Sequence, residues 1–343
     1  MKAFVKGTGG PGDGSVQDVA PRRAPGDGEV LLRVAACGIC GSDLHALRSD
    51  PGFEWVAPPV TLGHEFSGTV IAVGDDVDAL EVGDRVMSMS IQGCLTCDVC
   101  RTGTTQLCPD RVIVGLSYDG GLAEEVLVPA RHLVPVPDGV DLEVAAVAEP
   151  LSVAVRAVLH ETFITPGDAV VVSGPGPIGL LCARLAQLSG ADVCVVGSPA
   201  DRARRLPIAE RWGMRTAVAG DQEPAAVLGR RPDSWIEASG AAPALAGALE
   251  GVRRGGTIVV VALYANPLEF FATTAVRNEL TVRFSYASAH PEYVRALKLL
   301  ESGAVDAEAL LDRFALTDAE QAFAAAYGGE VIKPLIVPDG PTR

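Results

Sequence analysis

Cys94, Cys97, Cys100 and Cys108 stand in the pattern C-x2-C-x2-C-x7-C. Four thiolates so spaced can close a tetrahedron around one zinc ion and leave no coordination position open. The chemistry they predict is therefore structural: such a site holds a loop in shape and activates nothing. Iron–sulfur runs of the bacterial type begin similarly but continue with x3 and then Cys-Pro. Here seven residues lie between Cys100 and Cys108, although Pro109 follows.

A second set of ligating types is scattered over three pieces: Cys40 in CGICGSDLH, His64 and Glu65 in TLGHEFSG, and Glu149 in AEPLSVAV. A thiolate, an imidazole and a carboxylate around one zinc leave a vacancy, and such an ion acts as a Lewis acid on an alcohol or carbonyl oxygen. Taken singly, each piece has a plainer explanation. A His beside a Glu reads as a surface pair, and a Cys after Gly-Ile as a packed core residue.

A third constellation is Gly174-Pro175-Gly176-Pro177-Ile178-Gly179, set between an apolar run at 169–173 and a helical stretch at 180–188. Strand, tight glycine turn and helix N-terminus form the cradle for a dinucleotide pyrophosphate. About twenty residues on, an NAD site places an Asp or Glu against the ribose 2′-hydroxyl. The run here ends in Gly197-Ser198, with no acid at either position. Ser198 can donate to a 2′-phosphate, and Arg202 or Arg205 can supply the charge that strengthens phosphate contacts. NADP(H) is accordingly expected over NAD(H). Asp201 keeps NAD open if the turn is shifted, and Arg202, Arg204 and Arg205 also read as the solvated face of the next helix.

The elements that must position these groups change character along the chain. Up to about residue 150, short apolar runs at 29–35, 66–73, 84–89, 125–128 and 132–136 are broken by Gly, Pro and Asp, which predicts a strand-rich, loop-rich domain. From about 151, strands predicted at 169–173, 193–197, 216–219, 234–238, 257–262 and 280–284 alternate with Ala- and Leu-rich helical stretches. This is an α/β pattern: a doubly wound, six-stranded parallel Rossmann sheet. The last stretch, with helices at 291–301 and 318–327 and a strand at 330–337, is too short to stand alone and is expected to rejoin the first domain. The expected division is 1–150 with 286–343, and 151–285.

The chain has 343 residues, 48% apolar, with 28 Lys and Arg against 43 Asp and Glu, for a net charge of −15. That charge opposes phosphate backbones and anionic lipid, so neither nucleic acid nor membrane is an expected partner. Arg101 is the lone basic residue between Cys94 and Cys108, which speaks against a zinc finger for nucleic acid. No long apolar run and no charged-then-apolar leader are seen, and a cytoplasmic enzyme with reduced thiols is expected. His132, His160 and His290 are expected on the surface, and Cys182 and Cys194 in the core.

The residues now assembled resemble the zinc-dependent medium-chain alcohol and polyol dehydrogenases over the whole chain. The family signature G-H-E-x2-G-x5-G-x2-V stands here as Gly63, His64, Glu65, Gly68, Gly74 and Val77. The resemblance implies a GroES-like catalytic domain beside the Rossmann domain and two zinc ions per chain. It assigns Cys40, His64, Glu65 and Glu149 to the catalytic zinc, without deciding which carboxylate ligates, and leaves Cys37 as packing. It also implies that Ser42 and His45 pass the alcohol proton toward solvent through the cofactor ribose, while Asp43 is the acceptor that fixes the tautomer of His64. The implied reaction is hydride exchange between NAD(P) and a secondary alcohol, polyol or ketone, in a homodimer or homotetramer. Ala46 follows His45, and the segment after the last predicted strand reads Arg283-Phe284-Ser285-Tyr286-Ala287-Ser288, with no Arg-aromatic pair at the place where the sorbitol branch has one; both are departures from that branch. An amino-alcohol or aminocyclitol dehydrogenase is therefore the alternative, and a non-catalytic nucleotide-binding scaffold the alternative of another class.

Overall fold

The computed structural model describes residues 1–338. They form two units, one made of Met1–Glu149 with the segment from Ser288 onward, the other of Pro150–Ala287.

In the first unit the strand Glu29–Gly38 is the organising element. Val30, Leu32 and Val34 alternate inward and are at most 2% exposed, the period-2 pattern of a strand with one face on a core. Strand Glu65–Val73 lies antiparallel on one side, and Glu125–Pro129 and Lys333–Val337 pair with other stretches of the same strand. The seven-stranded sheet continues through Arg85–Ser88 and Leu133–Pro135 at one edge and Leu311–Ala315 at the other. A smaller sheet joins Lys2–Lys6 to Gly14–Asp18 and Val60–Thr61, with the glycine-rich stretch between the first two forming the turn. Phe4, Leu32, Leu62, Phe66, Leu122 and Phe323 are buried in the main core, each worth roughly 1.5–3 kcal/mol of transfer free energy.

The second unit is a six-stranded parallel sheet. Its order is Arg215–Val218, Asp192–Gly197, Ala169–Ser173, Ser234–Glu237, Thr257–Val260 and Thr281–Phe284. In chain order that is 3-2-1-4-5-6, the doubly wound arrangement. The central strand reads AVVVS with every residue buried, as a strand covered on both faces must. The six sequence-predicted strands all form, with ends shifted by one or two residues. Cys182 and Cys194 are buried, and burial pushes both thiols up to about 12.

Sequence reading placed His132 on the surface, and the structure overturns this: it is 1% exposed, with Nε2 3.3 Å from Gly93 O. His160 and His290 are exposed, as expected. His132 sits in the short helical turn Ala130–His132, where the alternation that marks strands gives no guide to burial. Burial first, then Arg131, brings His132 down to about 4. Because the unfolded chain then binds a proton that the folded chain refuses, stability falls as pH drops from about 6.5 toward 4. Replacement by Gln should make the acid loss of stability smaller by about 3 kcal/mol, read from urea titrations at several pH values. Identical pH dependence in both proteins would exclude the buried neutral imidazole.

Candidate active site and metal centres

Strand pairing brings the scattered ligands together. Gly38 stands opposite Glu65 in the register of Glu29–Gly38 with Glu65–Val73. Two residues beyond Gly38, Cys40 opens helix Gly41–Arg48, and His64 immediately precedes the partner strand. Donor atoms of Cys40, His64 and Glu65 accordingly lie within 4.8 Å of one another. The approach is close enough to require a glycine: a Cβ on Gly38 would lie 2.2 Å from Glu65 Oε2 and 2.9 Å from Lys333 Cε.

Asp43, fully buried, ties this corner together. Its Oδ2 accepts from Cys40 N at 2.9 Å and its Oδ1 from Gly63 N at 3.2 Å, while His64 Nδ1 stands 3.3 Å from Oδ1. Burial opposes a charge on His64, but the negative Asp43 and Cys40 outweigh it and hold the imidazole well above its usual value.

Lys333 is the residue that sequence reasoning missed. It begins the strand Lys333–Val337, is 3% exposed, forms an ion pair with Glu65 Oε2 and donates to Ile39 O at 3.1 Å. Burial works against its charge, yet Glu65 and Cys40 raise it. A single Lys in an apolar strand near the chain end carries no sequence signal of such a partner.

Glu149, on helix Ala148–Val155, is buried but does not join the group within 4.8 Å. Burial and then Glu65 push it up to about 7, with His64, Ser90 and Lys333 acting the other way. Ser90 N and Oγ also lie 3.1 Å from the buried Tyr293 hydroxyl. Cys37 packs in the main core. Ser42 and His45 share helix Gly41–Arg48, three residues apart and so on one face. Ala46 is fully buried, while Phe53 stacks on His45 with ring centroids 5.4 Å apart.

In the second centre the sulfur atoms of Cys94, Cys97, Cys100 and Cys108 lie within 4.8 Å of one another. Cys94 Sγ to Cys100 Sγ is 4.0 Å and Cys97 Sγ to Cys108 Sγ is 3.8 Å. These are too long for disulfides, whereas a tetrahedron with zinc–sulfur bonds of about 2.3 Å has edges near 3.8 Å. Backbone N–H groups of Cys94, Cys97 and Cys100 point at sulfur at 3.4–3.5 Å, which favours thiolates. The Thr96 hydroxyl and nearby N–H groups bring Cys94 down to about 6.

In the parallel-sheet unit, strand Ala169–Ser173 runs into Gly174, at φ 91°, and Gly176 caps helix Pro177–Leu188 with Pro177 in its first turn. A Cβ on Gly179 would lie 1.8 Å from Gly174 O, so only glycine lets this turn close. Ile178 lies beside it, half-buried. Gly174 also packs on Ser239, whose N donates to the fully buried Glu237 at 2.8 Å, a support with no sequence signal. At the end of Asp192–Gly197, Ser198 N and Oγ donate to Asp201 Oδ2 at 2.8 and 2.7 Å. Arg205 pairs with Asp201 at 3.3 Å and Arg202 with Asp221. Ser198 is thus a capping residue here, its hydroxyl hydrogen already committed.

Two family descriptions match the chain: alcohol dehydrogenase GroES-like domain over residues 26–138, and zinc-binding dehydrogenase over 177–302. A sorbitol dehydrogenase of Halalkalibacterium halodurans is 36% identical, covering 98% of this chain and 99% of its own. The chain belongs to the zinc-dependent medium-chain alcohol and polyol dehydrogenases. A D-arabitol-phosphate dehydrogenase of Enterococcus avium is 34% identical over 90% of each chain. Among solved structures, an alcohol dehydrogenase from Thermus sp. ATN1 superposes with a TM-score of 0.89 at 31% identity, covering 98% of this chain and 99% of its own. A zinc-binding dehydrogenase of Sinorhizobium meliloti 1021 bound to NADP gives 0.89 at 30% identity, with the same coverage. Membership makes this chain a zinc-dependent alcohol dehydrogenase that uses a nicotinamide cofactor. Among the described residues no helix is long and apolar enough to cross a membrane.

Two outcomes follow from the geometry. Cys100→Ala should lower the bound zinc by one ion per chain and depress the thermal midpoint before it affects chemistry; an unchanged midpoint and zinc content would remove the structural role. Lys333→Met leaves Glu65 buried without its cation and should cost on the order of 3–5 kcal/mol in denaturant unfolding. A loss under about 1 kcal/mol, as surface pairs give, would show that Glu65 does not need Lys333.

Proposed function

We propose that the enzyme oxidises secondary alcohols of the polyol class, and reduces the matching ketones, with NADP(H) as its cofactor. The observation that carries the reading is the buried meeting of Cys40, His64 and Glu65, whose donor types suit a zinc ion with an open position. Cys40 Sγ, His64 and Glu65 would hold that ion, with the buried Glu149 as a further carboxylate close enough to feel the charges of His64 and Glu65. With Nδ1 turned to Asp43, His64 would have Nε2 free to ligate a metal. Bound zinc supplies Lewis acidity toward the substrate oxygen, and bound nicotinamide the capacity to take or give a hydride. The residues do the rest. Lys333 pairs with the Glu65 carboxylate and holds it in place. Ser42 and His45 carry the hydroxyl proton toward water along one face of their helix. The four cysteines hold a second, structural zinc.

The parallel-sheet unit would hold the cofactor, with Gly174, Gly176, Pro177, Ile178 and Gly179 forming the turn and helix start that suit a pyrophosphate. What supports NADP(H) is the state of Asp201. Its two oxygens are taken by Ser198 and Arg205 and it is 9% exposed, so no acid at Gly197 or Ser198 is offered to a ribose 2′-hydroxyl. Arg202 keeps 56% of its side chain accessible beside Arg205 and is the cation we assign to a 2′-phosphate.

A homo-oligomer is supported by the sheet edge at Thr281–Phe284. Phe284 at the end of that edge strand is 73% exposed and Phe271, outside it, 74%, exposed aromatics that a second copy would cover.

The test is nicotinamide absorbance over a panel of polyols, amino alcohols, sugars and aminocyclitols, with NAD and NADP in parallel. Turnover on polyols, lost in Cys40→Ala with cofactor binding retained, is expected. Arg202→Ala should cost roughly tenfold in NADP kcat/KM and leave NAD nearly unchanged, about the worth of one charged hydrogen bond. Turnover on amino alcohols or aminocyclitols alone would move the substrate class, and equal use of both cofactors would remove the 2′-phosphate assignment. Undiminished turnover by Cys40→Ala would overturn the zinc site.

A further inference from the structure

Helix Gly41–Arg48 ends at Ser49, whose φ of 54° is left-handed and turns the chain back along the helix. Tight turns follow: Asp50 N donates to His45 O at 3.0 Å, Phe53 N to Asp50 O at 2.9 Å and Val56 N to Phe53 O at 3.1 Å. This loop presses two side chains against one imidazole. Asp50 Oδ2 lies 2.7 Å from His45 Nδ1, and the Phe53 ring stacks on the His45 ring at an interplanar angle of 23°. The His45 side chain is still 45% exposed, so the ring is gripped on two sides and open to water on others.

The surrounding charges leave Asp50 as the acid in contact with His45. Arg48, from the same helix, lies over the Tyr327 ring at 3.6 Å, and the Tyr327 hydroxyl donates to Leu44 O at 2.8 Å. Asp43 is turned the other way, toward Cys40, Gly63 and His64. An ionised carboxylate only accepts, so the imidazole nitrogen facing Asp50 must carry the hydrogen. The lone pair is then on Nε2.

Building on the reading of His45 as the end of the proton relay, we propose that Asp50 is a positioning residue that holds His45 in the Nδ1–H tautomer and steadies the imidazolium. In alcohol oxidation the substrate hydroxyl gives its proton to Ser42 Oγ as Ser42 releases its own hydrogen toward water, and Nε2 of His45, on the same helix face, is the group that takes a proton up at the end of the path. The Nδ1–H bond to Asp50 is unbroken throughout. The imidazolium returns the Nε2 proton to water, and carbonyl reduction runs the same path backward. Asp50 thus acts on the reaction through His45 and touches no substrate atom. Phe53 closes one ring face and restricts the rotation that would exchange the two nitrogens.

The experiment is long-range proton–nitrogen NMR on the ¹⁵N-histidine-labelled full chain, with zinc and cofactor bound, at alkaline pH where imidazoles are neutral. Five histidines give a simple spectrum, and H45Q identifies the signals of His45. The parent should show His45 as Nδ1–H, and D50A should move it to the Nε2–H form that free imidazole side chains prefer. D50N is nearly isosteric and offers its amide oxygen, so it should keep much of the Nδ1–H form; D50L, similar in size and unable to accept, gives the D50A readout if D50A folds poorly. Alcohol-oxidation kcat should fall about three- to tenfold in D50A, a share of the roughly 10²–10⁴ that acid–base catalysis supplies, with KM nearly unchanged. In the H45Q background the same substitution should add nothing. A His45 tautomer unmoved by D50A, or a loss that persists in H45Q, would overturn the assignment of Asp50. Full kcat in H45Q alone would instead remove the relay on which it rests.

Discussion

The pairing of Gly38 with Glu65 across two antiparallel strands is the constraint from which the catalytic corner follows. Strands a single hydrogen bond apart bring Cys40 and His64 together although more than twenty residues of chain lie between them. The third strand, Lys333–Val337, pairs with the same end of Glu29–Gly38 and delivers an ammonium into the gap. A thiol, an imidazole, two carboxylates and an ammonium are thus collected in a buried space, where isolated charges are costly and mutual pairing is what makes them tolerable. One side chain at position 38 would undo the arrangement, because its Cβ would occupy the space of the Glu65 carboxylate.

The same economy governs how each ligating group is held. Asp43 receives two backbone N–H groups and faces His64, so it fixes both the start of the helix and the orientation of an imidazole. Glu237 plays a comparable part in the other unit, where it accepts from Ser239 N, Gly240 N and the Tyr264 hydroxyl and so steadies the loop against which Gly174 packs. In both cases a buried carboxylate is satisfied by donors from a turn, and the turn supports the functional loop. The cysteine lobe is the third instance: N–H groups of the run itself point at its own sulfur atoms and favour their thiolate form.

Much of this was legible in the residues. Cysteine spacing is local, so four thiolates within fifteen positions specify a tetrahedron before any fold is known. The glycine turn at 174–179 and the alternation of strands and helices are local too, and the parallel sheet appeared with strand ends off by one or two residues. Surface and core were less secure. His132 was expected on the surface, and tertiary packing buries it with Nε2 beside Gly93 O. Ser198 looked like a phosphate donor, and a capping interaction with Asp201 claimed its hydroxyl.

By itself the sequence determined the types of chemistry, because ligand type, ligand spacing and glycine turns are properties of short stretches. It placed four cysteines at metal-ligand spacing, a glycine turn between strand and helix, and a net charge of −15. Only tertiary structure decided which carboxylates meet the catalytic corner, since Glu65, Glu149 and Lys333 reach it from three distant elements. It likewise decided that Asp50 and Phe53 enclose His45, through a left-handed turn at Ser49 that no composition or period announces. Contacts between distant residues depend on strand register and loop closure, which are set by the burial of the whole core.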